Sequence, residues 1–150
     1  MTRAALGVAM SVGSMLVGPV ALADLAASRA LVTKGDYAAA EQSLRAIRGA
    51  ERAAALVVLA RVEIETGRYA HAERSAAEAA RTAGVRVEAV TVQGEALAAT
   101  GRYDEAERAW RSVADRPRGA RARSLLARLL AERGRTAEAE PIFEAFADDY

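Results

Sequence analysis

The apolar and polar positions of this 150-residue chain recur with a period of 32 to 34 residues, measured between four glycines at positions 35, 67, 101 and 134. Apolar side chains recur in phase with these glycines, four residues before them and nine residues after them: Leu31, Leu97, Leu130, Leu44, Trp110 and Phe143. A fixed period in this range indicates a solenoid. The pattern predicts eight helices, at about 24–34, 36–48, 50–66, 69–82, 86–100, 103–115, 120–133 and 136–149.

The segment that begins at each glycine is itself repeated. It reads GDYAAAE at 35–41, GRYAHAE at 67–73, GRYDEAE at 101–107 and, more weakly, GRTAEAE at 134–140. These residues resemble the tetratricopeptide repeat, a helix–turn–helix unit with glycine in its turn. The resemblance implies an all-α fold, a right-handed α-solenoid of about four repeats. It also implies small side chains where the two helices cross, and the first helices carry Ser28, Ala60, Gly94 and Ala127 at that position.

The resemblance covers residues 24–150, which we divide into repeats at about 24–49, 50–84, 86–118 and 119–150. Two residues depart from the pattern. Glu63 stands where an apolar side chain is expected, so a buried Glu63 should pair with an arginine or reach the edge of the core. Pro141 lies inside the eighth predicted helix and should kink it or shorten its start.

Residues 1–23 lie outside the repeats and have the layout of a secretory signal peptide. Arg3 precedes an apolar run, Gly18 and Pro19 break it, and Ala21 to Ala23 form a small-x-small cleavage site. We therefore expect an exported protein, periplasmic or extracellular, with no stable membrane span after cleavage. The alternative is an uncleaved anchor, since the apolar run is close to the minimum length of a spanning helix.

Charge and composition narrow the function. The net charge of +1 gives no electrostatic argument for nucleic acid, and the absence of cysteine removes thiolate metal sites and thiol nucleophiles. The only histidine, His71, has too few neighbouring ligands for a metal site and is expected on the surface. No catalytic signature is present, so we expect neither an enzyme nor a cofactor. A cluster of four arginines is either an anion patch or a solvated loop: Arg116, Arg118, Arg121 and Arg123.

The concave groove is the family's usual binding surface, and the resemblance assigns it residues on the first helix of each repeat. Arginine recurs at one of these positions in three repeats, and an arginine can bind a carboxylate through two hydrogen bonds. We expect partner contacts from Leu25, Arg29, Val32, Val57, Arg61, Ile64, Glu65, Thr91, Glu95, Arg121, Arg128 and Glu132. The alternative is that the apolar members pack between repeats and the arginines are solvated.

The first hypothesis is a non-catalytic exported scaffold or adaptor that binds a peptide or a partner helix in this groove. A second is the non-catalytic front of a larger exported enzyme of the peptidase or cell-wall class. A third is a self-associating structural scaffold. The repeat pattern stops without a capping helix after the eighth helix. That end is therefore expected to continue into a further domain or to pack on a partner or a second copy.

Overall fold

The computed structural model describes residues 24–148, with side chains as far as Ala145, and in this range every regular element is helical. The elements are α1 (Leu25–Thr33), α2 (Tyr37–Ala46), α3 (Arg52–Glu65), α4 (Tyr69–Ala79), α5 (Arg86–Ala99), α6 (Tyr103–Val113), α7 (Ala120–Glu132) and α8 (Thr136–Asp148). Short 3₁₀ turns at Gly49–Glu51 and Ala83–Val85 precede α3 and α5. Each helix packs on its neighbours in sequence, which confirms the all-α solenoid.

The four motif glycines close the four helix hairpins in the same way. Gly35 has φ +78°, its N–H donates to Val32 O at 2.9 Å, and the N–H of Asp36 donates to Leu31 O at 3.0 Å. The other three turns have the same pair of bonds, and their glycine φ values lie between +74° and +79°. This is the Schellman ending, which needs a left-handed residue after the helix. A Cβ at these positions would meet nothing within 4 Å, so the backbone conformation and not space selects glycine.

Small side chains let the two helices of each hairpin approach closely. Ser28, Ala60 and Ala127 on the first helices are fully buried, as are the alanines at the matching position of α2, α4 and α6. In the third repeat the small residue is Gly94, and Trp110 of α6 packs directly against it. The Trp110 ring is 2% exposed, and its Nε1–H donates to Thr91 O at 3.0 Å.

Glu63 is buried and paired. Its side chain is 1% exposed; Arg45 Nη2 lies 3.0 Å from Oε1, and Ser75 Oγ donates to Oε2 at 2.8 Å. Arg45 is itself half exposed, so the pair runs from the core to the edge of the α2–α4 layer. Of the two alternatives expected for Glu63, the structure shows the first, pairing with an arginine, while Glu63 itself stays inside the core.

An ion pair of one pattern joins each repeat to the next. The arginine after the turn glycine of one repeat binds the glutamate six residues after the turn glycine of the preceding repeat. Nη1 and carboxylate oxygen are 2.7 Å apart in all three pairs: Arg68–Glu41, Arg102–Glu73 and Arg135–Glu107. We call these pairs the inter-repeat ladder. The first repeat has Asp36 where the others have arginine, and its carboxylate caps α2 by accepting the N–H of Ala39 at 3.1 Å.

Two expectations need comment. Pro141 does not shorten α8, which begins two residues after its turn glycine, as α2, α4 and α6 do. The signal peptide expected at residues 1–23 lies outside the described residues.

Candidate binding groove

A cleft of about 280 Å³ runs along the first helices of the repeats. Residues from all four repeats line it: Val32, Tyr37, Arg61, Val62, Ile64, Glu65, Glu95 and Arg121. Six of these belong to the groove set expected from the sequence, namely Val32, Arg61, Ile64, Glu65, Glu95 and Arg121. We call this cleft the groove. Its position follows from the fold, because α3 contacts both α1 and α5 and so places the first helices of successive repeats side by side.

One end of the groove is occupied by a fixed ion pair. Arg121 of α7 donates from Nε and Nη2 to the two carboxylate oxygens of Glu95 on α5, both at 2.9 Å. This bidentate hydrogen bonding raises the pKa of Arg121 above its ordinary value. Because the two charges already neutralise each other, a charged ligand would gain little by binding at this end of the groove.

The other end carries charges without partners. The side chain of Arg61, half-buried on α3, makes no hydrogen bond or ion pair with any residue in 24–145, and the same holds for the side chain of Glu65 one turn later. The apolar side chains of Val32 and Ile64 and the half-buried Tyr37 line the same cleft. A partly desolvated guanidinium beside an apolar wall can bind a peptide in which an acidic residue stands next to an apolar one.

Three members of the expected set do not reach the groove surface. Leu25 is 8% exposed, Val57 6% and Thr91 3%. Leu25 and Val57 belong to a core cluster that extends from the first repeat to the third, and Thr91 Oγ1 donates to Val87 O at 2.6 Å within its own helix. The contact role expected for these three is therefore corrected. The first helices of neighbouring repeats pack together, and these three side chains lie between them.

The remaining members lie away from the cleft. Arg29 is exposed on α1, and Arg128 on α7 lies 3.6 Å from Glu132, its neighbour one turn later, with both side chains about two-thirds exposed. Of the three arginines that recur at one repeat position, only Arg61 lines the groove. Sequence reasoning missed two of the groove residues, Tyr37 and Val62, and Val62 is only 1% exposed. The recurrence of Tyr37 with Tyr69 and Tyr103, each two residues after a turn glycine, was a signal that could have pointed to it.

The four-arginine cluster does not form one patch. Arg121 binds Glu95, Arg123 is half-buried, and Arg118 reaches Glu88 at 3.5 Å. Arg116 and Arg118 line a second cleft of about 510 Å³ between the turns that precede α5 and α7. His71 is exposed on α4, and no group of metal-ligating side chains that could hold an ion occurs within the described residues. In the same part of the chain, no helix is both long and apolar enough to cross a bilayer.

These features define a class of protein: an α-solenoid of helix hairpins whose first helices line an open groove. A family model for the tetratricopeptide repeat matches residues 25–86 and 91–150, so the chain belongs to the tetratricopeptide repeat family. Repeats of this family are generally protein–protein interaction modules and typically non-catalytic. No curated protein matches the chain.

Proposed function

We propose that this protein is a non-catalytic adaptor that binds a segment of a partner protein in the groove. The segment carries an acidic side chain for Arg61 and an apolar side chain for the wall formed by Val32 and Ile64. The observation that carries this proposal is the half-buried Arg61, whose side chain has no partner among the described residues and lies in one cleft with the apolar Val32 and Ile64. Of the other charges in the cleft, Arg121 and Glu95 bind each other, and the exposed Glu65 is unpaired. A partly desolvated cation gains more from a ligand carboxylate than an exposed one does.

The test is a selection of random peptides displayed on phage against residues 24–150. We expect enriched peptides to share an acidic residue next to an apolar one. Arg61→Glu should weaken their binding by roughly 30-fold or more, because reversing a desolvated charge contact costs at least 2 kcal/mol. Arg108→Glu is the matched control, because Arg108 is exposed on α6 and lies outside the groove.

Circular dichroism of both variants must give the helical content of the parent chain, so that lost binding is not unfolding. Peptides without a shared acidic residue, or equal binding by the two variants, would show that the groove is not the site.

We further propose that the protein is exported and acts in the periplasm or outside the cell. Residues 1–23 carry this proposal, with their charged start, apolar run and small-x-small site before Asp24. N-terminal sequencing of the protein from the exported fraction should give Asp24 as its first residue. A chain that keeps Met1 and stays with the membrane would instead support the anchor.

A further inference from the structure

The cleft of about 510 Å³ between the turns that precede α5 and α7 lies in the middle of the array. The 3₁₀ turn and the first residues of α5 form one wall, and the end of α6 with the loop before α7 forms the other. All of its lining residues fall within 83–90 and 112–118, so neither end of the solenoid contributes to it. We call it the junction cleft. It shares no lining residue with the groove.

The junction cleft has an excess of positive charge. Three arginines line it, Arg86, Arg116 and Arg118, against one glutamate, Glu88, which leaves two positive charges in excess. A cleft lined mainly by charges of one sign concentrates their field and attracts a ligand of the opposite sign.

Most of this charge is not neutralised within the described chain. The side chain of Arg116 makes no hydrogen bond or ion pair with any described residue. Arg86 donates from Nε to Ala80 O at 3.0 Å, which holds its guanidinium in place, while its two Nη groups bind no described residue. Arg118 Nη1 and Glu88 Oε1 are 3.5 Å apart, and their side chains are 70% and 42% exposed, so this pair is weak.

The corresponding arginine between the first and second repeats is used differently. Arg48 and Arg116 both lie four residues before the first residue of the following helix, α3 or α7. The side chain of Arg48 donates to the carbonyl oxygen of Arg45 and, at 3.0 Å, to that of Ile47, both near the end of α2. The side chain of Arg116 binds no carbonyl oxygen at the end of α6 and lines the junction cleft. Its hydrogen-bond donors therefore remain available to a ligand.

The loop that carries Arg116 and Arg118 has little freedom to move. Pro117 between them has a fixed φ. Arg118, at φ 69°, is the one residue other than glycine with a left-handed backbone in the described part of the chain, and such residues often mark functional sites. A Cβ on the buried Gly119 would collide with the carbonyl oxygen of Val113, so the loop is packed tightly against the end of α6. Arginines on a packed loop lose less conformational entropy when they bind a ligand.

The uncharged part of the lining indicates which kind of anion would fit. It includes three valines, of which one is buried and two are half-buried: Val113, Val87 and Val90. These side chains suit a small apolar body, and the volume of the cleft is typical of a site for a small molecule. Guanidinium groups bind phosphate and carboxylate oxygens through paired hydrogen bonds.

We propose that the junction cleft binds a small organic dianion, an apolar body that carries either a phosphate monoester or two carboxylates. The two negative charges offset the excess of two positive charges, and the valines contact the apolar body. This site is separate from the groove, so either proposal can fail without the other.

The test is a titration of the ¹⁵N-labelled protein, followed by NMR, with phenyl phosphate and phthalate as the two probes. We expect the side-chain Nε–H signal of Arg116 and the backbone N–H signals of Val87 and Val90 to shift along one saturation curve. The signals of Arg61 in the groove should not move. Inorganic phosphate has the charge without the apolar body, and phenol has the body without the charge. Each should bind at least roughly fivefold more weakly than phenyl phosphate.

The tighter probe shows whether the charge belongs on one group or on two, and it is used with the variants. Arg116→Gln should weaken its binding by roughly fivefold or more, because the variant lacks a guanidinium whose donors are unbound in the chain. The same absence of partners means that circular dichroism and thermal melting should be unchanged. Arg108→Gln is the matched control, because it removes the same charge from an exposed residue of α6 that does not line the cleft.

Four outcomes would overturn the proposal. The first is no saturable shift at millimolar concentration of either probe. The second is equal weakening by Arg116→Gln and Arg108→Gln, which would mean unspecific charge attraction. The third is binding of inorganic phosphate as tight as that of phenyl phosphate, which would mean an adventitious ion only. The fourth is a phosphotyrosyl peptide that binds the cleft tenfold or more tightly than phenyl phosphate, which would assign the cleft to a protein partner.

Discussion

The second and third helix hairpins fill the same space in opposite ways. The hairpin α3–α4 has only alanines on the buried face of α4, and it buries a charged Glu63 that needs Arg45 and Ser75. The hairpin α5–α6 has a glycine on α5 and the largest side chain, Trp110, on α6. The α3–α4 hairpin therefore depends on an ion pair with the first repeat, and the α5–α6 hairpin depends on close packing between its own two helices. The fold tolerates both arrangements because each pair of helices as a whole fills its space and provides partners for its buried polar groups. The individual positions need not be filled in the same way.

The largest effect is expected at the aromatic side of this comparison. Trp110→Ala removes a buried ring and its hydrogen bond to Thr91, so the free energy of unfolding should fall by about 3–5 kcal/mol. Urea denaturation followed by circular dichroism measures it. A loss below about 1 kcal/mol would mean that the third hairpin does not depend on this ring.

A smaller effect is expected from the glycine that receives the ring. A Cβ at position 94 would lie 2.3 Å from Trp110 Nε1, so Gly94→Ala should cost about 1–3 kcal/mol through overpacking. In the Trp110→Ala background the same change should become neutral or stabilising, because alanine then gains about 1 kcal/mol of helix propensity. A double-mutant cycle in urea gives the coupling, and additive costs would refute the shape argument.

In the α3–α4 hairpin, the change in stability should depend on which member of the Glu63–Arg45 pair is replaced. Glu63→Leu restores the leucine found at this position in the other repeats, and we expect a change within about 1 kcal/mol or a gain in stability. Arg45→Ala leaves the buried carboxylate with Ser75 alone and should cost about 1–2 kcal/mol, reduced by the partial exposure of Arg45. Thermal melts of the two variants test this expectation. Equal losses of stability would contradict it, because they would mean that Glu63 itself stabilises the fold.

The smallest effect is expected from pH. Hydrogen bonds from Arg68, and then from Arg45, lower the pKa of Glu41 from its ordinary 4.5 to about 2. A carboxylate with a lowered pKa stabilises the fold fully above its unfolded pKa, and this contribution is lost as the pH falls from about 4.5 towards 2. Between pH 5 and 2.5, the free energy of unfolding of Arg68→Ala should therefore change less than that of the parent chain, by well under about 2 kcal/mol, as measured by urea denaturation at each pH. A slope as steep as that of the parent chain would contradict the assignment.

The sequence predicted the hairpins well because each carries its own turn signal. Glycine needs no partner elsewhere in the chain to set a left-handed turn, and the helix begins two residues after it in all four repeats. Glu63 was recognised as a departure, but its partners come from α2 and α4, and a repeat pattern does not show which side chains from other helices meet. The inter-repeat ladder was missed for the same reason, although arginine after the glycine in three repeats was a visible signal.

The groove was predicted less evenly. Residues in the C-terminal half of α3, such as Arg61 and Ile64, do line the cleft, whereas Val57 and Thr91, nearer the centres of α3 and α5, are buried. The family's positions describe an open superhelix, and how much of each position stays open depends on how closely successive first helices pack. That distance is set by side chains of several repeats together, such as the Arg121–Glu95 pair, and cannot be read from one repeat.

The four turn glycines offer a calibrated way to measure how the array unfolds. At Gly35, Gly67, Gly101 and Gly134 an added Cβ would touch nothing, so alanine would impose nearly the same local backbone strain at four known points along the chain. If the repeats unfold as one unit, the four substitutions lower its stability equally. If they unfold singly, each substitution weakens its own repeat most. The glycine that shapes each turn thereby becomes a gauge of cooperativity between neighbouring repeats.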